Sequence, residues 1–233
     1  MIKRIGKIFN DDFCDQLIGC VKNNSEQLLQ FPYSEDKDIR ISDIDIDCSF
    51  LIDFINSVMP DEYKLWYKKI SPKSAFTGEH VYYHQECRFV ISWELNPTDF
   101  LQCFIALEDL DYCPLVVAEH DIQIEHEKFM SQTGISKEKI KSEYLKKIPK
   151  DSFKTYSLRK GEGILFDYFA VHSSVGNVTP YDQPRGIFQL IKKGVNVNEE
   201  VVNNAAINKL NWEIDVLSKM LDNRKTQEVI IPL

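Results

Sequence analysis

Apolar residues change their spacing twice along this chain. Phe13, Leu17 and Val21 recur at the spacing of a helix face behind Asn10-Asp11-Asp12, whose short polar side chains suit a helix start, and the period runs on toward Leu28. Ser49 to Met59 carries the same period and stops before Pro60, which predicts a second helix. From Phe76 the period becomes that of strands. The runs VYYHQECRFVISWEL, FLQCFIAL and PLVVAEH are short, rich in β-branched and aromatic side chains, and divided by turn-formers such as Asn96-Pro97. Residues 121–154 break the rhythm with a charged, lysine-rich stretch in which Ser136 to Ile148 reads as an amphipathic helix. Strands return in TYSLR, after the Gly161-Glu162-Gly163 turn in ILFDYFAVHSS, and in RGIFQLIKKG. Val201 to Leu221 is helical in period again, and VIIPL could add an edge strand. Helices, then short strands around one insertion, then a helix predict a mainly β domain: a barrel or jelly roll with flanking helices. The expected organisation of 1–233 is one domain. Residues 1–75 form N-terminal helical support, 76–193 a core with the insertion at 121–154, and 194–233 a C-terminal helix and tail.

Composition narrows the picture without changing it. The chain has 233 residues, 43% hydrophobic, 12% aromatic and 27% charged, which is ordinary for a globular protein with a real core. Its net charge of −8, from 28 basic and 36 acidic residues, argues against a general nucleic-acid binder and against an anionic membrane surface. MIKRIGKIFNDDFCDQL lacks the apolar segment of a signal peptide, and no apolar run approaches the ~20 residues of a membrane span. Six scattered cysteines form no CxxC pair and are expected as reduced, buried side chains, with the cytoplasm as the default location.

Candidate chemistry begins in YYHQECRF. In a strand, His84 and Glu86 project to one face while Gln85 turns away. An imidazole and a carboxylate so placed are two of the three ligands of the facial triad in non-haem Fe(II) oxygenases. A second histidine, His172, follows an apolar strand and is flanked by small residues. Arg185 begins the next strand, and an arginine fork suits a planar carboxylate held in a fixed direction. His80 shares the parity of His84 and is a rival ligand. His120 ends a strand, where a structural role is expected, and His126 sits between Glu125 and Glu127 on a solvated face.

Three ordered blocks within 76–193 resemble the phytanoyl-CoA dioxygenase-like branch of the Fe(II)/2-oxoglutarate oxygenases. They are YYHQE, FIALEDLDYCPLVVAEHD and LRKGEGILFDYFAVHSSVGNVTPYDQPRGIFQL. The resemblance implies a double-stranded β-helix (jelly-roll, cupin-like) core, with His84, Glu86 and His172 holding Fe(II). It implies that Arg185 pairs with the far carboxylate of 2-oxoglutarate, that Ser174 supports the same carboxylate, and that Gln102 lies near a cosubstrate contact. Glutamate at 86 departs from the commoner aspartate. The implied reaction uses O2 and 2-oxoglutarate to hydroxylate a C–H bond of a small-molecule substrate, releasing succinate and CO2. A non-oxidative metal-binding barrel (an isomerase or sensor) and a protein-residue hydroxylase are the alternatives. The 121–154 insertion is expected to cover the iron mouth.

Overall fold

A computed structural model describes residues 1–23, 39–40, 46–71, 73, 75–76, 81–86, 90, 94–118, 146–198 and 200–201. Ten strands and two α-helices are described, with two single-turn 3-10 helices at Pro97–Asp99 and Lys150–Ser152. The strands are β1 (Ile2–Lys7), β2 (Ile39–Arg40), β3 (Tyr63–Ser71), β4 (Val81–His84), β5 (Phe100–Ala106), β6 (Leu115–Ala118), β7 (Phe153–Tyr156), β8 (Glu162–Asp167), β9 (His172–Ser174) and β10 (Arg185–Lys192). The α-helices are α1 (Asp11–Asn23) and α2 (Ser49–Val58).

Two antiparallel sheets face each other, ordered β1-β8-β5-β10-β3-β2 and β4-β9-β6-β7. From β3 to β6 the chain alternates between the sheets, turns back through the β6–β7 hairpin, and alternates again from β7 to β10. The returning strands slot beside the outgoing ones, so β10 lies between β3 and β5 while β9 lies between β4 and β6. This is the double-stranded β-helix expected from the sequence.

Alternation along β5 sorts its side chains into two cores. Leu101, Cys103 and Ile105 pack outward with Leu17 of α1 and with Leu51 and Ile55 of α2. Phe104 and Ala106 pack inward with Leu115 and Val117 of the facing sheet. The Asn10 carboxamide oxygen starts α1 by accepting the Phe13 N–H at 2.8 Å, satisfying one of the open donors of the first turn. Phe9 then makes edge-to-face contacts with Phe13, Phe50 and Phe188, which fasten both helices to the larger sheet. Gly161, at φ +81°, makes the turn before β8 possible, because a Cβ there would lie 2.0 Å from the Phe9 carbonyl oxygen.

Three expectations need correction. Residues 1–75 are more than helical support, since β1 pairs with β8 and β3 pairs with β10. These strands hide from pattern reading because β1 buries only Ile5 fully, and the centre of β3 is lysine-rich and half-buried. The insertion also ends earlier than 154: Phe153 and Lys154 already belong to β7, paired with Ala118 and Val117. Finally, Lys146 to Ile148 form a turn and bend, not the end of a helix. The remainder of the expected Ser136–Ile148 helix, and the region after Val201 with its helix and VIIPL strand, lie outside the described residues. So do His80, His120 and His126.

Candidate metal centre and anion pocket

The β4–β9 pairing sets His84 directly opposite His172, bringing the two imidazole centroids to 4.1 Å. β4 ends at His84, so Glu86 reaches them from the following turn and not from a continued strand. Gln85, fully buried between them, turns away as expected and donates its carboxamide N–H to the Phe169 carbonyl. That anchor ties the His84–Glu86 turn to the chain leading into β9.

Glu86 Oε1 lies 3.3 Å from His84 Nε2 and 3.6 Å from His172 Nε2. All three ligand atoms fall within 4.8 Å of one another, and among the described residues this is the one group of its kind. Ligand atoms about 2.1 Å from a metal and at right angles to one another stand roughly 3 Å apart, so the spacing suits a shared ion. His172 Nδ1 lies 3.0 Å from the Ala170 carbonyl oxygen. A carbonyl only accepts, so Nδ1 carries the proton, and in the neutral ring the Nε2 lone pair faces the Glu86 carboxylate. Two acceptors facing each other in a buried space are satisfied by a cation between them. The donor set therefore fits a metal, with the backbone fixing the tautomer of one ligand.

The Glu86 carboxylate also calls for a positive or donating partner at this spot. Burial pushes the Glu86 carboxyl upward, but contacts with His172 and His84 outweigh it and hold the group well below the usual carboxylate range. Burial, and then the neighbouring His84, lower His172, which favours its neutral, ligating form. Burial first and the Glu86 charge second push the Tyr168 phenol well above its usual range. Tyr168 thus keeps a neutral O–H, buried and without a hydrogen-bond partner among the described residues.

Inward-facing positions carry the other candidates. Ser174, two beyond His172, pairs with Leu115 and shares its inward face. Arg185, 3% exposed, starts β10 on the same face as Ile187, with its guanidinium carbon 5.6 Å from the centre of the Phe104 ring. Gln102, 2% exposed, alternates inward with Phe104, and its carboxamide oxygen accepts from Gln189 Nε2 at 3.4 Å. The structure therefore brings His84, Glu86 and His172 together and places Ser174, Arg185 and Gln102 inside the same barrel.

Sequence reading missed Lys73 and Tyr168. Lys73 is 1% exposed, and its Nζ lies 3.5 Å from Ser174 Oγ. A lone lysine in SPKSAF carries no signal of burial. Tyr168 follows the LFD run, where it reads as one more packing aromatic.

No family model and no curated protein matches the sequence. Solved structures match the fold, and they include non-haem monooxygenases and a 2-oxoglutarate-bound enzyme. The non-haem monooxygenase ThoJ, as its Ni complex, aligns at TM-score 0.59 and 12% identity over 84% of this chain and 75% of that one. EctD from S. alaskensis, with 2-oxoglutarate and 5-hydroxyectoine, aligns at 0.58 and 16% over 84% and 74%. The non-haem α-ketoglutarate-dependent epimerase SnoN from nogalamycin biosynthesis aligns at 0.57 and 10% over 82% and 77%. At these identities the likeness establishes the fold. Among the described residues no helix is long and apolar enough to cross a membrane.

Proposed function

We propose that this protein is an Fe(II)- and 2-oxoglutarate-dependent dioxygenase that hydroxylates a C–H bond of a small-molecule substrate. The observation that carries the reading is the convergence of His84, Glu86 and His172 inside a barrel whose interior also holds Arg185 and Ser174. A metal-binding barrel with non-oxidative chemistry has no need for a buried guanidinium and hydroxyl suited to a distant carboxylate.

In this reading His84, Glu86 and His172 hold the metal. Bound Fe(II) would supply O2 activation, coupling oxidative decarboxylation of the oxoacid to substrate oxidation, so that RH, O2 and 2-oxoglutarate give ROH, succinate and CO2. The chain's own work is placement. The Ala170 carbonyl orients His172, and Gln85 holds the turn that carries Glu86. Arg185 and Ser174 bind the far carboxylate of the oxoacid, which fixes the direction of its other end. Phe104, Phe166 and Tyr168 wall the interior with buried aromatic surface and keep water out. The epimerase SnoN shares this fold, so the outcome on the substrate follows from its positioning, and hydroxylation is the simplest case.

The test is succinate formation. Protein loaded anaerobically with Fe(II) and then given air and 2-oxoglutarate should release succinate, slowly alone and faster with a substrate from a metabolite panel. A chelator or His172→Ala should stop it. Tight iron binding without any succinate across the panel would favour the non-oxidative barrel.

A further inference from the structure

Lys73 and Arg185 are the two lysine or arginine side chains withdrawn from water among the described residues, and the fold sets them on adjoining segments. Arg185 pairs with Ser71 at the end of β3, and the same ladder continues as the Gln183 N–H donates to the Lys73 carbonyl at 3.1 Å. Lys73 is therefore the diagonal neighbour of Arg185 across adjoining segments. Its ammonium reaches Ser174 Oγ on the opposite sheet, at 3.5 Å. Ser174 is the hydroxyl already assigned to the oxoacid carboxylate.

The backbone at Lys73 is held with some force. It stands at φ +42°, a region that residues with a Cβ seldom occupy. The Asn177 carboxamide clamps it there. Asn177 Nδ2 donates to the carbonyls of Lys73 at 2.9 Å and Tyr181 at 2.7 Å, while Oδ1 accepts from the Thr179 N–H and hydroxyl. The loop between β9 and β10 thus uses its buried polar groups to fix the backbone of one lysine whose ammonium reaches Ser174.

An ammonium beside the Ser174 hydroxyl, with a guanidinium starting the adjoining strand one ladder step away, gives a carboxylate several donors on neighbouring segments. We propose that Lys73 is the second cation of the anion pocket, so that Lys73, Arg185 and Ser174 together hold the far carboxylate of a 2-oxo dicarboxylic acid. The proposal rests on the dioxygenase reading and deepens it, because it makes the pocket selective for a dicarboxylate over a monocarboxylic 2-oxoacid of equal length.

The experiment is a calorimetric titration of the full-length protein, loaded with Mn(II) and kept anaerobic. The probes are 2-oxoglutarate and 2-oxopentanoate, which has a methyl group in place of the far carboxylate. Wild type should bind 2-oxoglutarate and strongly prefer it. Lys73→Met should weaken 2-oxoglutarate by about 10- to 100-fold, as expected when one member of a desolvated charge pair is removed, and leave 2-oxopentanoate unchanged. Lys73→Arg should recover most of the preference. If the methionine variant does not fold, Lys73→Gln keeps the length and a hydrogen bond to Ser174 but no charge, and the same loss is expected. Equal weakening of both oxoacids, or an unchanged preference, would reduce Lys73 to a structural residue and overturn this inference while leaving the dioxygenase reading in place. Wild type that binds Mn(II) but not 2-oxoglutarate would overturn both.

Discussion

Arg159 and Arg185 are the same side chain in opposite surroundings. Arg159 is 63% exposed and pairs with Asp109 at 3.0 Å and Asp111 at 2.8 Å, on the rim of a charged surface cleft of about 370 Å³. Lys7, Asp11, Lys160 and Glu162 share that rim, so each charge meets its opposite in water. Arg185 is 3% exposed and lies over an aromatic ring in the barrel. The rim is a solvated network in which any member can be lost cheaply. The interior sorts its charges instead: two histidines converge on Glu86, while Lys73 reaches Ser174 and Arg185 starts the strand one ladder step away. Desolvation makes each of those placements costly unless a polar partner offsets it. Dense charge at a surface cleft is therefore a weaker sign of function here than a few charges withdrawn from water.

The largest effects should come from breaking the interior acceptors. His172→Ala or Glu86→Gln should weaken Fe(II) binding by at least about 100-fold, measured by competition with a chelator, because each removes a ligand itself. Asp109→Asn on the rim should leave iron binding unchanged. Equal losses at both places would erase the contrast. Next comes Arg185→Leu, which removes a buried charge-assisted contact worth about 2–5 kcal/mol and so at least ~30-fold in 2-oxoglutarate affinity, with iron retained. Unchanged 2-oxoglutarate affinity would move the clamp elsewhere.

What pattern reading recovered, and what it lost, follows the same division. The β5 run FLQCFIA was legible because every residue is buried and the side chains are β-formers. The HxE pair was legible because two residue types at a fixed spacing carry metal chemistry whatever surrounds them. His84 and Glu86 do meet, although by a turn and not by strand parity, since the short β4 ends before Glu86. β1 and β3 were lost because an edge strand and a lysine-rich strand have no clean alternation. Lys73 was lost for a different reason. Its burial depends on pairing with residues more than a hundred positions away, Asn177, Gln183 and Ser174, which no local pattern can report.

A smaller effect tests that long-range clamp. Asn177→Ala should leave the buried Thr179 N–H without its acceptor and take one of two donors from each of the Lys73 and Tyr181 carbonyls, at about 1–3 kcal/mol for the group left unsatisfied. The loss should appear as a lower midpoint in urea. 2-Oxoglutarate binding should also weaken, because Lys73 is no longer held beside Ser174. Full stability in this variant would mean that Asn177 does not clamp the loop.

The smallest effect belongs to the rim. The Asp109 carboxyl lies below its usual range, first because it accepts the Lys160 backbone N–H and then because Arg159 donates to it. Glu162 is lowered in the same way, first by the Arg159 backbone N–H and then by the Arg4 side chain. Groups whose folded values are depressed contribute stability above their unfolded values near pH 4, and that stability is lost as pH falls through the folded value. Asp109→Asn keeps an oxygen for the Lys160 N–H but removes the charge. It should lower Tm at pH 7 by less than about 2 °C, with the difference shrinking in roughly 1 M salt and vanishing in acid. Asp109→Ala also removes the acceptor and should cost somewhat more, with the extra part insensitive to salt. A drop for Asp109→Asn as large as that of Asn177→Ala, or one that persisted in salt and acid, would show that the rim is not merely solvated charge.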